Sequence, residues 1–357
     1  MPPPTGEKEL LTHPFRDYYI AAAKWEKEAL KQRGTLLRLV PEAEVIKMGK
    51  KAAKSRMIYS WKSDVFYPGG DRGPAGERAK ARWIICGYSL IFGLDYDKTA
   101  SPSADMVTWR MMLSLQVQIR EEERHSAQLD VPTAYLWTTE RKHKVFMKQA
   151  PGCEEPNSEG MVWELGSYLY GEPPAGLEWF LKLAGKFEER GYKRNPACHA
   201  MFVKITKKKK PHDVKWYDDP KNAQRRVTMR APDGTVGVLG RDFYATFILL
   251  QVDDGKIAGN SGEDVKELKK IMAEFDTKWH APCAEYIGAE ETALGPDVIK
   301  VTAKKQIDKF ARVYSEHLTG SRERVPARAG DAYKPQAGCM EAADTKERRE
   351  MAAKPYR

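Results

Sequence analysis

Cysteine is scarce in this chain of 357 residues, and long hydrophobic runs are absent. The five cysteines are an odd number and no pair has zinc-site spacing, so we interpret them as free thiols in a reducing compartment. The longest apolar stretch, FYATFILL, is far too short to span a bilayer. The N-terminus, MPPPTGEKELL, lacks the apolar segment of a secretory signal. The sequence therefore predicts an intracellular protein with no membrane partner, cytoplasmic or nuclear, with an organelle left open.

Acidic residues are in the minority, with 60 lysines and arginines against 50 aspartates and glutamates and a net charge of +10. A polyanion such as nucleic acid fits this balance, although a merely soluble basic protein fits it too. The positive charge is partly blocked, most densely in KITKKKKPH. We take Lys207, Lys208, Lys209 and Lys210 as candidate phosphate contacts, with a solvated loop as the alternative.

Helical and strand patterns alternate along the middle of the chain, and 41% of its residues are hydrophobic, enough for a core. The Trp179 and Phe180 region is amphipathic and is interpreted as core packing. The order of elements, with helices expected on one face of a mixed sheet, predicts an α+β fold of the split βαβ type. Helices are predicted at 17–34, 107–124, 176–192, 261–276 and 306–318.

Two acidic positions end apolar strands. Asp130 ends one in AQLDVPTAY, and Asp253 and Asp254 end another in FILLQVDDGKIAGN. If the strands are neighbours, three carboxylates meet at one edge of the sheet, which suits magnesium and two-metal phosphoryl transfer. Asp-Asp-Gly is also good chemistry for a tight hairpin turn. The spacing alone leaves both interpretations open.

A longer set of motifs resembles the reverse transcriptase domain of copia-type LTR retrotransposons. ERAKARWIICGYSLIFGLDYDKTASPSADMVTWRMML resembles YKARLVARGYSQ…GIDYDETFSPV…TTIRLLL, and LDVPTAYL resembles LDVKTAFL. SYLYGEPPAGLEWF resembles SLYGLKQAPRAWY, FILLQVDDGKIAGN resembles LLVYVDDLLITGN, and YIGAE resembles FLGIE. The motifs keep their order over about three quarters of the chain, from near Tyr19 to Glu291.

The resemblance implies a right-hand polymerase with fingers, palm and thumb, and a split βαβ palm. It implies fingers and palm at 35–290 with an insert near 205–241, and a thumb-like region at 291–330. The composition of the two ends adds a leader and helix at 1–34 and a loose tail at 331–357. It also implies RNA-directed DNA synthesis from an RNA template, a DNA primer and deoxynucleoside triphosphates. Two Mg²⁺ ions would serve as cofactors, and Mn²⁺ could substitute.

Individual roles carry over by position. Asp130 and Asp253 would hold both metals with help from Asp254. Tyr135 falls where the family has its aromatic sugar gate. Lys80 and Arg82 would contact the incoming triphosphate, with a solvated strand face as the alternative. Gln251 stands where the family has a tyrosine next to the primer terminus and is grouped with the nucleotide-binding positions.

Several substrate-contact positions depart from the family pattern. EPPAG replaces LKQAP, so that Pro173 and Pro174 stand in place of a lysine and a glutamine, and Cys86 replaces a finger arginine. Two functions remain: an active polymerase domain, or an inactive descendant that binds RNA or assembles a ribonucleoprotein. An unrelated basic binding protein would require the ordered motifs to be coincidence.

Overall fold

The structure is a computed structural model that describes residues 2–62, 78–296 and 298–313. Residues 63–77 and the predicted loose tail at 331–357 lie outside these ranges. The chain divides into two compact units, residues 1–303 and a unit that begins at Lys304. Of the second unit, the structure describes the helix Lys304–Val313. Within the described ranges, no helix is both long and apolar enough to cross a membrane.

Each predicted helix has a counterpart among the described residues, with the ends that can be compared shifted by a few residues. Residues 314–318 of the helix predicted at 306–318 lie outside the described ranges. The one predicted at 107–124 ends at Gln118, where Ile119 turns to an extended conformation. The described helices are α1 Glu7–Thr12, α2 Arg16–Gln32, α3 Glu42–Lys47, α4 Met106–Gln118, α5 Ala175–Glu188, α6 Val214–Asp218, α7 Gly262–Met272 and α8 Lys304–Val313.

The strands form five sheets. Those outside the central sheet are short hairpins or three-stranded layers. The described strands are β1 Leu36–Pro41, β2 Ser55–Lys62, β3 Arg78–Ile85, β4 His125–Asp130, β5 Phe146–Lys148, β6 Met161–Leu165, β7 Lys193–Arg194, β8 Met201–Lys207, β9 Thr228–Arg230, β10 Val236–Val238, β11 Phe243–Gln251, β12 Asp254–Gly259, β13 Lys278–His280, β14 Glu285–Tyr286, β15 Ala289–Gly295 and β16 Val298–Thr302.

The central sheet has six strands in the order β13-β4-β12-β11-β8-β7. Every neighbouring pair is antiparallel. Consequently β12 and β13 run in the same direction on either side of β4, and α7 connects them along the chain. This is a split βαβ unit, and it confirms the predicted α+β fold class. We call this sheet the palm sheet.

Both faces of the palm sheet are covered. Helices α5 and α7 pack on one face, where Trp179, Phe187 and Leu268 meet strand residues such as Ile257. Helix α4 covers the other face together with β14, through Trp109, Met112 and Tyr286 among others. The expectation of helices on one face is therefore wrong for α4. The strands of the palm sheet present apolar side chains on both faces, so a second apolar layer is needed, and α4 supplies part of it.

A second core lies beside the palm sheet. Helix α2 packs Tyr19, Ala23 and Leu30 against one face of the β2–β3 hairpin. Alternation along β3 buries Ala79, Ala81, Trp83 and Ile85, because successive strand side chains point to opposite faces. The other face of the hairpin carries the intervening polar side chains. We call it the outer face of β2–β3.

The insert at 205–241 is a folded segment. It contains α6 and the β9–β10 hairpin. Tyr217 is buried against Gly240, where any side chain would collide with the phenol oxygen. The insert joins the ends of β8 and β11 that lie farthest from Gln251. At about 3.4 Å per residue, the length of β11 places it roughly 30 Å from the opposite end of that strand.

A buried ion pair fixes the segment that precedes α5. Arg141 donates two hydrogen bonds to Glu172, at 2.6 and 3.1 Å, and both side chains are almost fully buried. Glu172 Oε1 also accepts from the Leu169 backbone N–H at 2.7 Å. The Arg141 guanidinium lies over the ring of Tyr168, 4.5 Å from its centroid. The charge of Glu172 is therefore matched on every side.

Arg141→Met is expected to destabilise the protein by about 3–5 kcal/mol, because it leaves a buried carboxylate without its partner. Urea unfolding measures the change. Lys142→Met is the matched control, since Lys142 pairs with Glu178 from an exposed position, and its loss should cost less than about 1 kcal/mol. Equal losses in the two variants would contradict the role of burial.

Candidate active site

Three aspartates meet at one end of the palm sheet. Asp130 is the last residue of β4 and Asp254 the first of β12, and the two are direct cross-strand partners. Asp253 lies in the two-residue turn that joins β11 to β12. The Val131 N–H donates to the Asp253 carbonyl at 2.9 Å, which ties the turn to the end of β4. We call these three residues the aspartate site.

The turn itself is strained and anchored. Val252 has φ +57°, a conformation that a β-branched residue rarely adopts. Its carbonyl accepts a hydrogen bond from the Trp179 indole N–H at 2.9 Å, and Trp179 is fully buried in α5. Such strain persists only where surrounding contacts hold it. The two interpretations of Asp-Asp-Gly are thus compatible, because a tight hairpin turn carries the carboxylates.

Two of the three carboxyl groups, those of Asp253 and Asp254, have a raised pKa. Burial raises the pKa of Asp254 to about 6, and the charges of Asp253, Asp130 and Glu285 add to the effect. Asp253 lies at the exposed tip of the turn. The protein around it still removes part of its hydration, and this desolvation, followed by the charge of Asp130, raises the pKa of Asp253. Like charges at close range resist joint ionisation. The site therefore favours a bound cation.

The donor set of the aspartate site suits a hard divalent cation. It offers carboxylate oxygens, and among the described residues no lysine or arginine forms an ion pair with these three aspartates. Their carboxylate oxygens do not all lie within 4.8 Å of one another. In the described ranges, the group with all ligand atoms within 4.8 Å is instead Glu123, His212 and Asp213. Lys208 and Arg120 already neutralise that group.

A row of aromatic and cationic side chains extends from the aspartate site to β3. Tyr135 follows β4 in a short 3₁₀ turn, and its ring lies 5.3 Å from that of Tyr170. The Arg82 guanidinium lies 4.0 Å from the Tyr170 centroid. Burial raises the pKa of Tyr170 to about 12 and raises that of Tyr135, and the charge of Asp253 adds to both effects. The structure thus brings Arg82, Tyr135 and Asp253 together.

The outer face of β2–β3 concentrates positive charge. Lys80 lies next to Arg82 on this face, and burial together with the Arg82 charge lowers the pKa of Lys80. The alternation of β3 and its pairing with β2 put several cations there, with Glu26 as a nearby carboxylate. The cationic residues of the outer face are Arg56, Lys62, Arg78, Lys80 and Arg82.

Gln251 pairs with Asp254 across the first rung of the turn. Its side-chain carbonyl oxygen is buried and has no hydrogen-bond partner. A polar atom in this position costs free energy unless a ligand or water satisfies it. Gln251 therefore lies beside the aspartates, and its role as a nucleotide-binding residue stays a prediction.

The altered EPPAG segment is tightly packed. Pro174 occupies the residue before α5, where its ring can begin the helix. Gly171 has φ +91°, and a side chain there would lie 2.1 Å from the Ile85 carbonyl oxygen at the end of β3. The Ser101 hydroxyl donates to the Gly176 carbonyl at 3.1 Å. The segment thus fixes β3 against the start of α5 without the lysine and glutamine of the family pattern.

The four lysines of the basic run are not equivalent. Lys207, Lys209 and Lys210 are exposed at the far end of the β8–β11 hairpin. Lys208 is buried, where it pairs with Glu123 at 3.2 Å and donates to the Gly240 carbonyl. The prediction that Lys208 contacts phosphate is therefore wrong, because Lys208 is buried and holds the insert in place.

Sequence reasoning missed three residues around the aspartate site. Trp179 was assigned to core packing, yet it also holds the turn. Tyr170 links Arg82 to Tyr135, and Glu285 adds negative charge next to Asp254. The quoted motifs contained a signal for two of them, because Trp179 and Tyr170 coincide with the tryptophan and tyrosine of SLYGLKQAPRAWY. No comparable signal marked Glu285.

An α+β fold with three carboxylates at the end of a split βαβ sheet is the arrangement that the family resemblance predicts for a polymerase palm. Comparisons with known proteins agree on the class. Residues 48–219 match the family described as "Reverse transcriptase (RNA-dependent DNA polymerase)". This match and the transposon relatives described next support a copia-type reverse transcriptase domain in this chain. Asp130 lies inside the matched range, whereas Asp253 and Asp254 lie beyond it.

The curated relatives are transposon polyproteins. The chain is 27% identical over 286 residues to the retrovirus-related Pol polyprotein from transposon TNT 1-94 of Nicotiana tabacum, covering 80% of this chain and 18% of the relative. It is 31% identical over 236 residues to that from transposon RE2 of Arabidopsis thaliana, covering 66% of this chain and 14% of the relative. The chain thus spans less than a fifth of these relatives.

Solved structures give a looser likeness. The foamy viral protease-reverse transcriptase in complex with double-stranded DNA matches at a TM-score of 0.30 and 10% identity, over 87% of this chain and 50% of that one. The RNA-dependent RNA polymerase of bacteriophage phi12 matches at a TM-score of 0.35 and 12% identity, over 80% of this chain and 48% of that one. At these scores the likeness adds nothing to the topology described above.

Asp254→Asn is expected to stabilise the metal-free protein at high pH. The raised pKa means that the folded state binds the proton of Asp254 more tightly than the unfolded state does. The contribution of Asp254 to the free energy of unfolding therefore falls as pH rises from about 4 to 6. After a discount for partial exposure, the gain at pH 8 should be about 1–2 kcal/mol, and it should vanish near pH 4.

Urea unfolding in the presence of a chelator, from pH 4 to 8, measures this difference. Asp17→Asn is the control, because Asp17 is exposed on α2, and its profile should parallel that of the unsubstituted protein. A variant at Asp254 that is less stable than the unsubstituted protein at pH 8 would contradict the proposed repulsion.

Proposed function

We propose that this chain is the RNA-directed DNA polymerase domain of a copia-type element, adding deoxynucleotides to a primer on an RNA template. The observation that carries the proposal is the aspartate site at the end of the palm sheet, facing Tyr135 and Arg82 across a short distance. The family match supports the reaction class. The proposal concerns this domain alone, because the chain covers less than a fifth of the polyproteins that it resembles.

The aspartate site would hold the metals. Asp130 and Asp253 would bind two Mg²⁺ ions, for which Mn²⁺ could substitute, with Asp254 assisting; bound there, they would stabilise the attacking and leaving oxygens of an in-line displacement. Without a cation the three carboxylates repel one another, as the raised pKa values of Asp253 and Asp254 indicate. The Trp179 hydrogen bond keeps the turn in place while the charges change.

The outer face of β2–β3 would bind the triphosphate. Arg82 and Lys80 bear positive charge that is only partly neutralised within the protein, and a triphosphate would neutralise it. The cation–π contact with Tyr170 holds the Arg82 guanidinium on the side of Asp253. Positioning of this kind supplies most of the rate in phosphoryl transfer. It also favours triphosphate contact over a merely solvated strand face.

Tyr135 would select the sugar. Its ring is half-buried against Tyr170 and close to Gly176, so its position is constrained. A ring held beneath a deoxyribose leaves no room for a 2′-hydroxyl. Gln251, with its unpartnered carbonyl oxygen, would contribute a polar contact next to the primer terminus.

Nucleic acid would contact the chain at two levels. The template and primer would lie along the palm, near the aspartate site. Lys207, Lys209 and Lys210 would contact a phosphate backbone only at the far end of the β8–β11 hairpin, roughly 30 Å away. Assembly into a ribonucleoprotein particle remains part of the proposal, and the exposed lysines are its support.

Asp253→Asn is expected to lower primer extension on an RNA template by at least about a thousandfold, with Mg²⁺ or with Mn²⁺, because it removes a metal-binding charge. Its affinity for the primer–template should change by less than about twofold, since one carboxylate contributes little to phosphate binding. Extension of a labelled primer and fluorescence anisotropy provide the two measurements.

Asp233→Asn is the control, since Asp233 lies in an exposed turn of the insert. Equal extension by the unsubstituted protein and Asp253→Asn would refute the metal role. A folded protein that binds RNA but extends no primer would refute polymerase activity, and it would support an inactive RNA-binding descendant. The replaced lysine and glutamine at Pro173 and Pro174 are the observation that favours this second function.

Tyr135→Val is expected to raise ribonucleotide incorporation relative to deoxynucleotide incorporation by about tenfold or more, because it opens space for a 2′-hydroxyl. Single-nucleotide extension with each triphosphate measures the ratio of kcat/KM values. Tyr135→Phe keeps the ring and should retain discrimination. If both variants discriminate as the unsubstituted protein does, Tyr135 does not contact the sugar.

A further inference from the structure

A buried polar cluster lies beneath the palm sheet, on the α4 side. Lys256 of β12 is fully buried, and its ammonium donates to Glu291 Oε2 of β15 at 2.5 Å. The other oxygen of Glu291 accepts from the Trp109 indole N–H of α4 at 2.8 Å. Three separate elements therefore meet in one hydrogen-bonded group. We call these residues the Lys256 cluster.

The cluster consists of residues that the family resemblance does not explain. Lys256 takes the place of a leucine in LLVYVDDLLITGN, and Trp109 takes the place of the isoleucine in TTIRLLL. Glu291 follows directly after YIGAE. Two departures from apolar positions thus contact one carboxylate, which suggests that they act together. A buried lysine alone in this place would be costly.

The Lys256 cluster and a second buried hydrogen bond both contact the same residue pair of the β11–β12 hairpin. Lys256 is the cross-strand partner of Leu249, three rungs from the turn that carries Asp253. The Leu249 carbonyl accepts a hydrogen bond from the Tyr286 hydroxyl at 2.7 Å. Tyr286 and Glu291 both belong to the β14–β15 hairpin and its immediate continuation. The β14–β15 hairpin is therefore hydrogen-bonded to both β11 and β12 at the Leu249–Lys256 pair.

The β14–β15 hairpin also lies close to the aspartate site. Glu285 begins β14 and lies close enough to Asp254 for its charge to matter. Asp254 is two residues before Lys256 on the same strand and therefore lies on the same face of the sheet. A shift of β14–β15 relative to the rung of Leu249 and Lys256 would change the surroundings of Asp254.

We propose that the Lys256 cluster is a positioning device, which holds the β14–β15 hairpin against β12 and so sets the placement of Asp254 for metal binding. None of its members touches substrate. This inference rests on the proposed metal-dependent function, although its central claim concerns metal affinity and not turnover. Groups that orient metal ligands typically change metal affinity when they are altered.

Three variants test the proposal: Lys256→Met, Glu291→Gln and the double variant. Each single substitution should lower the thermal unfolding midpoint strongly, because it leaves a buried charge without its partner. The double variant should recover a large part of that loss, since both charges are removed. This recovery would establish the pair, and it keeps the protein folded for the next measurement.

Mn²⁺ binding, followed by electron paramagnetic resonance, tests the positioning. Only the binding that Asp253→Asn abolishes is counted, so that the Glu123 and His212 group does not contribute. The folded double variant should bind Mn²⁺ about tenfold more weakly than the unsubstituted protein. In primer extension, its kcat should fall by about tenfold while the primer–template KM stays within about twofold.

Lys204→Met is the matched control. Lys204 lies on β8 of the same sheet and pairs with Asp264 and Glu267, so its loss should lower the midpoint but leave Mn²⁺ affinity unchanged. A double variant that binds Mn²⁺ as tightly as the unsubstituted protein would overturn the proposal, as would an unsubstituted protein without Mn²⁺ binding dependent on Asp253. Mn²⁺ binding without primer extension would refute the proposed function alone.

Discussion

Electrostatic repulsion among Asp130, Asp253 and Asp254 is the constraint on which the rest of the structure depends. Three carboxylates at the end of one sheet would separate if the backbone allowed it. Cross-strand pairing of β4 with β12 holds two of them, and the Trp179 hydrogen bond holds the turn that carries the third. The cores on both faces of the palm sheet make these positions rigid. The result is a site that keeps negative charge concentrated, where a divalent cation can neutralise it.

Departures from the family pattern are accompanied by new contacts. Where EPPAG replaces LKQAP, Glu172 forms a buried pair with Arg141, and Pro174 precedes α5. Where Lys256 replaces a leucine, Glu291 accepts a hydrogen bond from Lys256 and another from Trp109. The insert likewise uses Lys208 and Glu123 for its own attachment. The packing around the changed positions is thus intact, and the aspartate site keeps its frame although substrate contacts have changed.

Charge is distributed unevenly around the site. The aspartates lie on one side, and the outer face of β2–β3 lies on the other, with Tyr135 and Tyr170 between them. Aromatic rings can contact both a cation and a sugar, so they suit the boundary between the two regions. In the proposed function, this arrangement would offer a triphosphate complementary charge at one end and leave the carboxylates at the other end free to bind metal ions.

The sequence by itself determined the main elements and predicted which residues form the candidate site. Apolar periodicity predicted the main helices and strands, because each element buries one apolar face away from water. Ordered motifs predicted Asp130, Asp253 and Tyr135 as site residues. Tertiary structure decided what pattern alone could not. Whether α4 covers the second face, whether Lys208 is buried, and whether Trp179 bonds to the turn all depend on which distant segments meet. Asp130 and Asp253 are far apart in the chain, and only the pairing of β4 with β12 brings them together. Local residue preferences act over a few positions, whereas these contacts arise from packing the whole domain.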